Sequence, residues 1–324
     1  MKTLIYYSCL LLSLLQPSAC AGSSKHAQST EDNKSVQDTV PAGDSSFKLP
    51  EMPITLTSPA EQLSYFVKYY WSNYDFKDTA AIRRPDFTEQ ALVNYISLLK
   101  EVSPEESSEC LKQLVRDMEQ DEVVYSWFDE KLEHYLYDPN SPLMSDELYM
   151  SVLEEMIVSK KYGGVLTERP RFRLGMLKKN CEGMKAADFS FVIESGKRNR
   201  LKGITSKYTL LFIYDPECEN CGRAIEMLNE STALAEKSQS LAAGMPLLTV
   251  LSVSVEGGKE SWLRHLPALP ASWTNGYDDK EMIRNEELYD LRSVPSLYLL
   301  DKDKRVILKN VNPPEVLELS LIHI

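Results

Sequence analysis

The stretch Lys207-Tyr208-Thr209-Leu210-Leu211-Phe212-Ile213-Tyr214-Asp215-Pro216-Glu217-Cys218-Glu219-Asn220-Cys221 decides how this chain reads. Tyr208 to Tyr214 is a continuous apolar run, the pattern of a strand buried on both faces. The cysteine pair follows at once, and Ala224, Ile225 and Leu228 then fall at helical spacing. A strand that runs into a helix opening on Cys-x-x-Cys sets the first sulfur at the helix mouth. The second lies about one turn further in, on the same face. Free backbone N–H groups and the helix dipole favour a thiolate on Cys218. Cys221 can then attack a mixed disulfide and release the partner. The spacing is also half of a zinc site, but no second close pair exists, and Cys110 and Cys181 would have to come from separate places. A purely structural bridge is the third reading; a two-residue gap closes too small a loop to stabilise much.

Working outward, Leu247 to Val255 is a second buried-strand run, followed by a helix carrying Trp262, Leu263 and Leu266. Ser296 to Leu300 and Arg305 to Leu308 form a hairpin around Asp301-Lys302-Asp303-Lys304. Upstream, Phe189 to Ile193 is a short strand and Ser195-Gly196-Lys197 a turn. Strand, helix, strand, helix and hairpin make an α/β order with a parallel centre and an antiparallel edge.

On these residues the region from about 183 to 318 resembles the thioredoxin-like family, specifically its extracytoplasmic TlpA/ResA-type branch. Ala187-Asp188-Phe189-Ser190-Phe191 with Gly196-Lys197 is similar to that branch's opening hairpin, and Lys207 to Phe212 to its central strand. Ser293-Val294-Pro295-Ser296-Leu297-Tyr298-Leu299-Leu300-Asp301 is similar to its cis-proline strand and the hairpin after it. The resemblance implies a mixed sheet flanked by helices and a thiol–disulfide oxidoreductase acting without cofactor or metal. Cys218 is then the nucleophile and Cys221 the resolving thiol, with Val294 and a cis Pro295 pairing with the substrate chain. Its partners would be protein thiols and disulfides, with a membrane electron donor or a thioredoxin-like reductant behind them.

The departures from that family are informative. Glu217 stands where it has an aromatic residue, Glu219-Asn220 replace its usual Gly-Pro insert, and Phe212 stands where thioredoxins carry a buried acid. Asp215, Glu217 and Glu219 set three carboxylates around Cys218, opposed locally by Arg223. Like charge disfavours a thiolate, so a reductant or slow exchanger is expected, not a strong oxidant. The same departures keep a second reading open, a non-catalytic thioredoxin-fold scaffold. The Pro-x-x-x-Thr-x-x-Cys setting of a peroxide-reducing cysteine is absent.

A chain of 324 residues exceeds one ordinary domain. From about Pro50 to Cys181 the pattern is helical: Leu63, Phe66, Val67, Tyr70, Trp71 and Tyr74 recur every three or four residues behind the start signal Ser58-Pro59-x-Glu61. Thr88 to Glu101, a helix capped by Ser103-Pro104-Glu105-Glu106, Val123 to Leu136 and Asp146 to Val158 complete about five helices. Residues 49–182 thus read as a small all-α domain ahead of a thioredoxin-like domain at 183–324. No catalytic constellation appears in it. Glu105, Glu106, Glu109, Asp117 and Glu119 fall on solvated faces, His134 stands alone, and the aromatic stripe of Phe66, Tyr70, Trp71 and Tyr74 reads as core. With Trp71 in its first helix and Arg173-x-x-x-Leu177-x-x-Asn180 leading into Ala187, this region resembles an uncharacterised domain of exported Bacteroidetes proteins. That adds architecture and location, but no mechanism.

The start of the chain carries a targeting signal. Lys2 precedes an apolar run, Leu4 to Leu15, of signal-peptide length; a bilayer span needs about 20 apolar residues. Pro17-Ser18-Ala19-Cys20 resembles a bacterial lipobox, with Pro17 where Leu is usual, which makes Cys20 the lipidation site; cleavage after Ala21 is the alternative. Either route exports the protein, so 1–20 is a signal segment and 21–48 a polar tether. The expected location is the cell envelope, periplasm-facing, held to the membrane by the lipid anchor only. Of six cysteines, Cys9 leaves with the leader, and outside the cytoplasm a lone close pair is a clip or a redox centre. A net charge of −12 argues against nucleic acid as a partner. Leu319-Ser320-Leu321-Ile322-His323-Ile324 matches the translation of a sequencing-library transposon end, so truncation near Glu318 is expected; a genuine apolar tail is the alternative. Asn312-Pro313-Pro314-Glu315 should start a helix.

Overall fold

Ser103, Asp121 and Ser145 each accept a hydrogen bond from a backbone N–H that opens a helix, at 3.2, 2.9 and 3.3 Å. Such caps satisfy donors that the helix itself leaves free. The computed structural model describes residues 47–159, 161 and 167–323. The expected signal segment, Cys20 lipobox and tether through residue 46 lie outside the described residues. The N-terminal region is helical throughout: α1 (Pro59–Tyr69), α2 (Gln90–Leu99), α3 (Pro104–Met118), α4 (Glu122–Leu136), α5 (Asp146–Val158) and α6 (Glu168–Leu177).

Two expectations shift here. The first helix stops at Tyr69, five residues before the periodic run ends; further on, Asp75 and Asp78 accept from backbone N–H groups two residues ahead and form turns. Trp71 and Tyr74 still reach the core, and the Trp71 ring meets those of Tyr74, Tyr70, Phe128 and Tyr95 edge to face, with centres 5.3 to 5.6 Å apart. The aromatic stripe is therefore core. The second helix begins at Gln90, after one wide turn, Pro85–Glu89, in which buried Thr88 donates its hydroxyl to Ala81 O at 3.0 Å. A sixth helix, α6, carries Pro170 and Gly175, poor helix formers that hid it from pattern reading.

The second region is built on β1 (Ser190–Ile193), β2 (Arg198–Arg200), β3 (Tyr208–Tyr214), the short hairpin β4 (Leu241–Ala242) and β5 (Met245–Pro246), β6 (Leu248–Ser254), β7 (Thr274–Tyr277), β8 (Ser296–Asp301) and β9 (Val306–Val311). The main sheet runs β2-β1-β7-β6-β3-β8-β9. The pairs β3/β6 and β6/β7 are parallel, and the flanking pairs are antiparallel. Along β3, Leu210, Phe212 and Tyr214 enter one apolar cluster, while Leu211 and Ile213 enter another. Alternate side chains leave a strand on opposite faces, so β3 is covered on both sides, and its one buried polar side chain, Thr209, is hydrogen-bonded to Ser206 at 3.1 Å. The first cluster is closed by α7 (Glu219–Glu230), α8 (Thr232–Gln239), α9 (Gly258–His265) and α11 (Pro313–His323) through Leu228, Leu234, Trp262 and Val316. The second holds Ile283 of the short α10 (Met282–Asn285) and Tyr289. Asn312 caps α11 by accepting from Glu315 N at 2.9 Å.

The fold class is thus a thioredoxin-like mixed sheet flanked by helices, with an all-helical region ahead of it. The helical core is a cluster of its own, yet the described residues belong to one compact unit. Asn180 spans the junction: its amide donates to Leu288 O at 2.8 Å and accepts from Ala187 N at 2.8 Å.

Candidate thiol site

The turn that delivers the cysteines is fixed by Asp215. Its side chain accepts from Glu217 N at 2.9 Å and its carbonyl from Cys218 N at 3.2 Å. Cys218 is the N-cap of α7 in extended backbone conformation, and its carbonyl accepts the first helical bond, from Gly222 N at 3.1 Å. Its half-buried sulfur donates to the carbonyl of Val294 at 3.7 Å. The Val294–Pro295 peptide bond is cis. Cys221 lies one turn into the helix and is only 1% exposed, in one cluster with Phe212, Tyr214 and Trp262. Burial pushes its thiol well above the ordinary cysteine range. The four residues singled out from sequence, Cys218, Cys221, Val294 and Pro295, therefore meet at one place. All four described cysteines are free thiols.

The carboxylates around Cys218 are less isolated than their sequence suggests. Glu217 accepts hydrogen bonds from Ser261 Oγ at 2.7 Å and Arg264 Nη2 at 3.0 Å, both on α9, and His265 lies 3.9 Å away. Those partners hold its carboxyl below the usual range. Glu219 pairs with Arg223 at 2.7 Å, one turn along α7. Two of the three expected like charges are thus engaged by cations. Phe212 is fully buried and stacks on Tyr214 at 5.4 Å, so that strand position offers no proton acceptor. The Tyr214 hydroxyl and Trp262 Nε1 are buried in the same cluster without a hydrogen-bond partner among the described residues.

Beyond the cysteine pair, Cys110 is buried in α3 with its thiol raised to about 11 by desolvation. Cys181 follows α6 and donates to Leu177 O at 3.3 Å, with Lys309 Nζ 3.8 Å from its sulfur. His134 is exposed, 3.8 Å from Asp138. Among the described residues no group of three or more His, Cys, Asp or Glu is arranged to hold a metal. A cleft of about 1160 Å³ opens in the helical region, away from the cysteines, and Tyr137, Arg173 and Arg292 line it. Sequence reading missed Arg292, which bonds to helical-region residues far away in the chain.

Residues 20–180 match a family described as a domain of unknown function, DUF5106. No curated protein matches the chain. Among solved structures, a thioredoxin-like protein from Bacteroides caccae is 35% identical, with a TM-score of 0.80, over 86% of this chain and 99% of that one. The C-terminal domain of an uncharacterised Bacteroides fragilis protein is 37% identical, with a TM-score of 0.41, over 43% of this chain and 96% of that one. The thioredoxin domain of a thiol-disulfide oxidoreductase from Bacteroides vulgatus is 18% identical, with a TM-score of 0.38, over 44% of this chain and 97% of that one. Among the described residues no helix is long and apolar enough to cross a membrane. Being 35% identical to the Bacteroides caccae protein over 99% of that protein, the chain belongs to the thioredoxin-like family.

Proposed function

We propose that the chain is an extracytoplasmic protein-disulfide oxidoreductase of the TlpA/ResA type that works as a reductant through Cys218 and Cys221. One observation carries the reading: a half-buried sulfur at the mouth of α7 faces the Val294 carbonyl at 3.7 Å while its partner thiol is sealed in the core. The asymmetry supports a division of labour. The Cys218 thiolate attacks one sulfur of a substrate disulfide; that S–S bond breaks, and the leaving thiolate takes up a proton. The substrate backbone pairs with Val294 beside Pro295, which holds the mixed disulfide in place. Cys221 then loses its proton and attacks Cys218 Sγ, releasing the second substrate thiol and leaving a Cys218–Cys221 disulfide. Two electrons and two protons pass to the substrate, and an external dithiol restores the pair. The apolar run Leu4–Leu15 and the Pro17-Ser18-Ala19-Cys20 box support export and a lipid anchor at Cys20, facing the periplasm.

Phe212 favours a second reading, a scaffold that binds partners without turnover, because no acid stands at that strand position to take the Cys221 proton. Turbidimetric reduction of insulin by the mature chain, with Cys218→Ser as control, separates the two. Catalysed reduction lost in Cys218→Ser supports the oxidoreductase; equal rates for both proteins leave the scaffold.

A further inference from the structure

We infer that Arg292 is a positioning residue through which the helical region holds the Ser293-Val294-Pro295 segment in place to seat a polypeptide substrate. This rests on the oxidoreductase reading. The Arg292 side chain is only 8% exposed and ion-paired to Asp146, the first residue of α5. Its Nε lies 3.4 Å from Asp290 Oδ2, and its backbone N–H donates to Asp290 Oδ1 at 3.1 Å. Its guanidinium lies 4.3 Å from the centre of the Tyr137 ring, and Arg173 lies 4.9 Å from the same ring. Arg173 is itself tied to Glu133 and to the Tyr149 hydroxyl, the latter at 2.9 Å. Lys309 of β9 brings a second cation to Asp146, at 3.8 Å.

The placement is what gives these contacts meaning. The Val294 carbonyl that faces Cys218 sits two residues from Arg292, and Ser296 beyond it is already in the β3/β8 ladder. The segment between is pinned at one end by the sheet and at the other by a charge that reaches into the helical region. A fork of fixed donors suits this task, since it can meet two carboxylates and an aromatic face at once. Loosening it frees the segment to drift while the sulfur keeps its place at the helix mouth. Binding of a chain that pairs with the Val294 backbone then weakens, while Cys218, released from its 3.7 Å contact with the Val294 carbonyl, reacts no more slowly.

The test uses the full mature chain as wild type, Asp146→Asn, Arg292→Ala and Arg292→Lys, with folding checked by circular dichroism. Steady-state insulin reduction gives KM and kcat, and iodoacetamide alkylation of Cys218 reads the sulfur alone. The expected result is a five- to tenfold rise in KM for Asp146→Asn and Arg292→Ala, with kcat within twofold of wild type and an alkylation rate no lower than wild type. Arg292→Lys should recover part of the loss in KM. An active wild type with an unmoved KM in Asp146→Asn overturns this inference alone, as does a parallel fall in alkylation. An inactive wild type overturns the oxidoreductase reading and this inference with it. Should Arg292→Ala unfold, Asp146→Asn decides the matter, since it removes the charge without changing side-chain size.

Discussion

Glu217, the residue before Cys218, accepts a hydrogen bond from Arg264 Nη2, 3.0 Å away on α9. The acidic residue ahead of the cysteine is therefore part of an ion pair, and its effect on the sulfur depends on that pair. Arg264→Ala leaves the Glu217 charge less compensated beside Cys218, and like charge disfavours the thiolate. The alkylation rate of Cys218 at pH 7 should fall about two- to threefold. Glu217→Gln should raise it. Iodoacetamide kinetics read by mass spectrometry check both; an unchanged rate in each variant removes Glu217 from the account.

Cys221 should behave as the hidden partner. Its burial keeps the thiol protonated, so alkylation at neutral pH should mark Cys218 at least about tenfold faster. Cys221→Ser should stall turnover and accumulate mixed disulfides with insulin chains, visible on non-reducing gels. The same burial links folding to pH. A thiol raised in the folded state favours folding below the unfolded value, near 8.5, and that contribution is lost as pH rises further. Reduced wild type should lose urea stability above pH 8.5 more steeply than Cys221→Ala. Parallel pH profiles for the two proteins would contradict the burial argument.

Much of this arrangement is readable from local pattern, and the rest is not for a definite reason. The runs that became β3 and β6 are mostly apolar because both faces are covered, and Ser103, Asp121 and Ser145 announce their helices by type and position. Cys218 and Cys221 are singled out by their spacing, which places them at the mouth of α7 and one turn into it. By contrast, β7 reads Thr-Asn-Gly-Tyr, a sequence with little strand preference, and is held by ladders to β1 and β6. Arg292 meets Asp146 across 146 residues, and Glu217 meets Arg264 across 47. Contacts of that range leave no periodic trace, so a sequence shows the charges but not the pairs.

Gly276 marks where β7 needs the absence of a side chain. A Cβ there would meet Phe191 Cδ2 at 2.6 Å and Val192 O at 3.2 Å. Phe191 is fully buried in the core behind β1, so it has little room to yield. Gly276→Ala should destabilise the protein by about 1–3 kcal/mol through overpacking. Urea unfolding measures it, and Gly203→Ala, where a Cβ meets nothing within 4 Å, is the matched control.

Lys304 ends the turn between β8 and β9 and is 3% exposed, with no hydrogen-bond partner for its amine among the described residues. Burial lowers its pKa, while Asp301 and Asp303 oppose the shift without cancelling it. The unfolded chain therefore binds this proton more tightly, and stability should rise with pH as the group titrates. At neutral pH the charged amine is a liability of about 1 kcal/mol. Lys304→Met keeps the length of the side chain, removes the charge, and leaves the left-handed backbone at this position, φ 62°, no worse served. It should stabilise the protein at pH 7, with the gain shrinking toward pH 10 as the wild-type amine becomes neutral. Thermal unfolding of both proteins across that range settles the point. A destabilised variant at pH 7 would mean that Lys304 makes a favourable contact its geometry does not show.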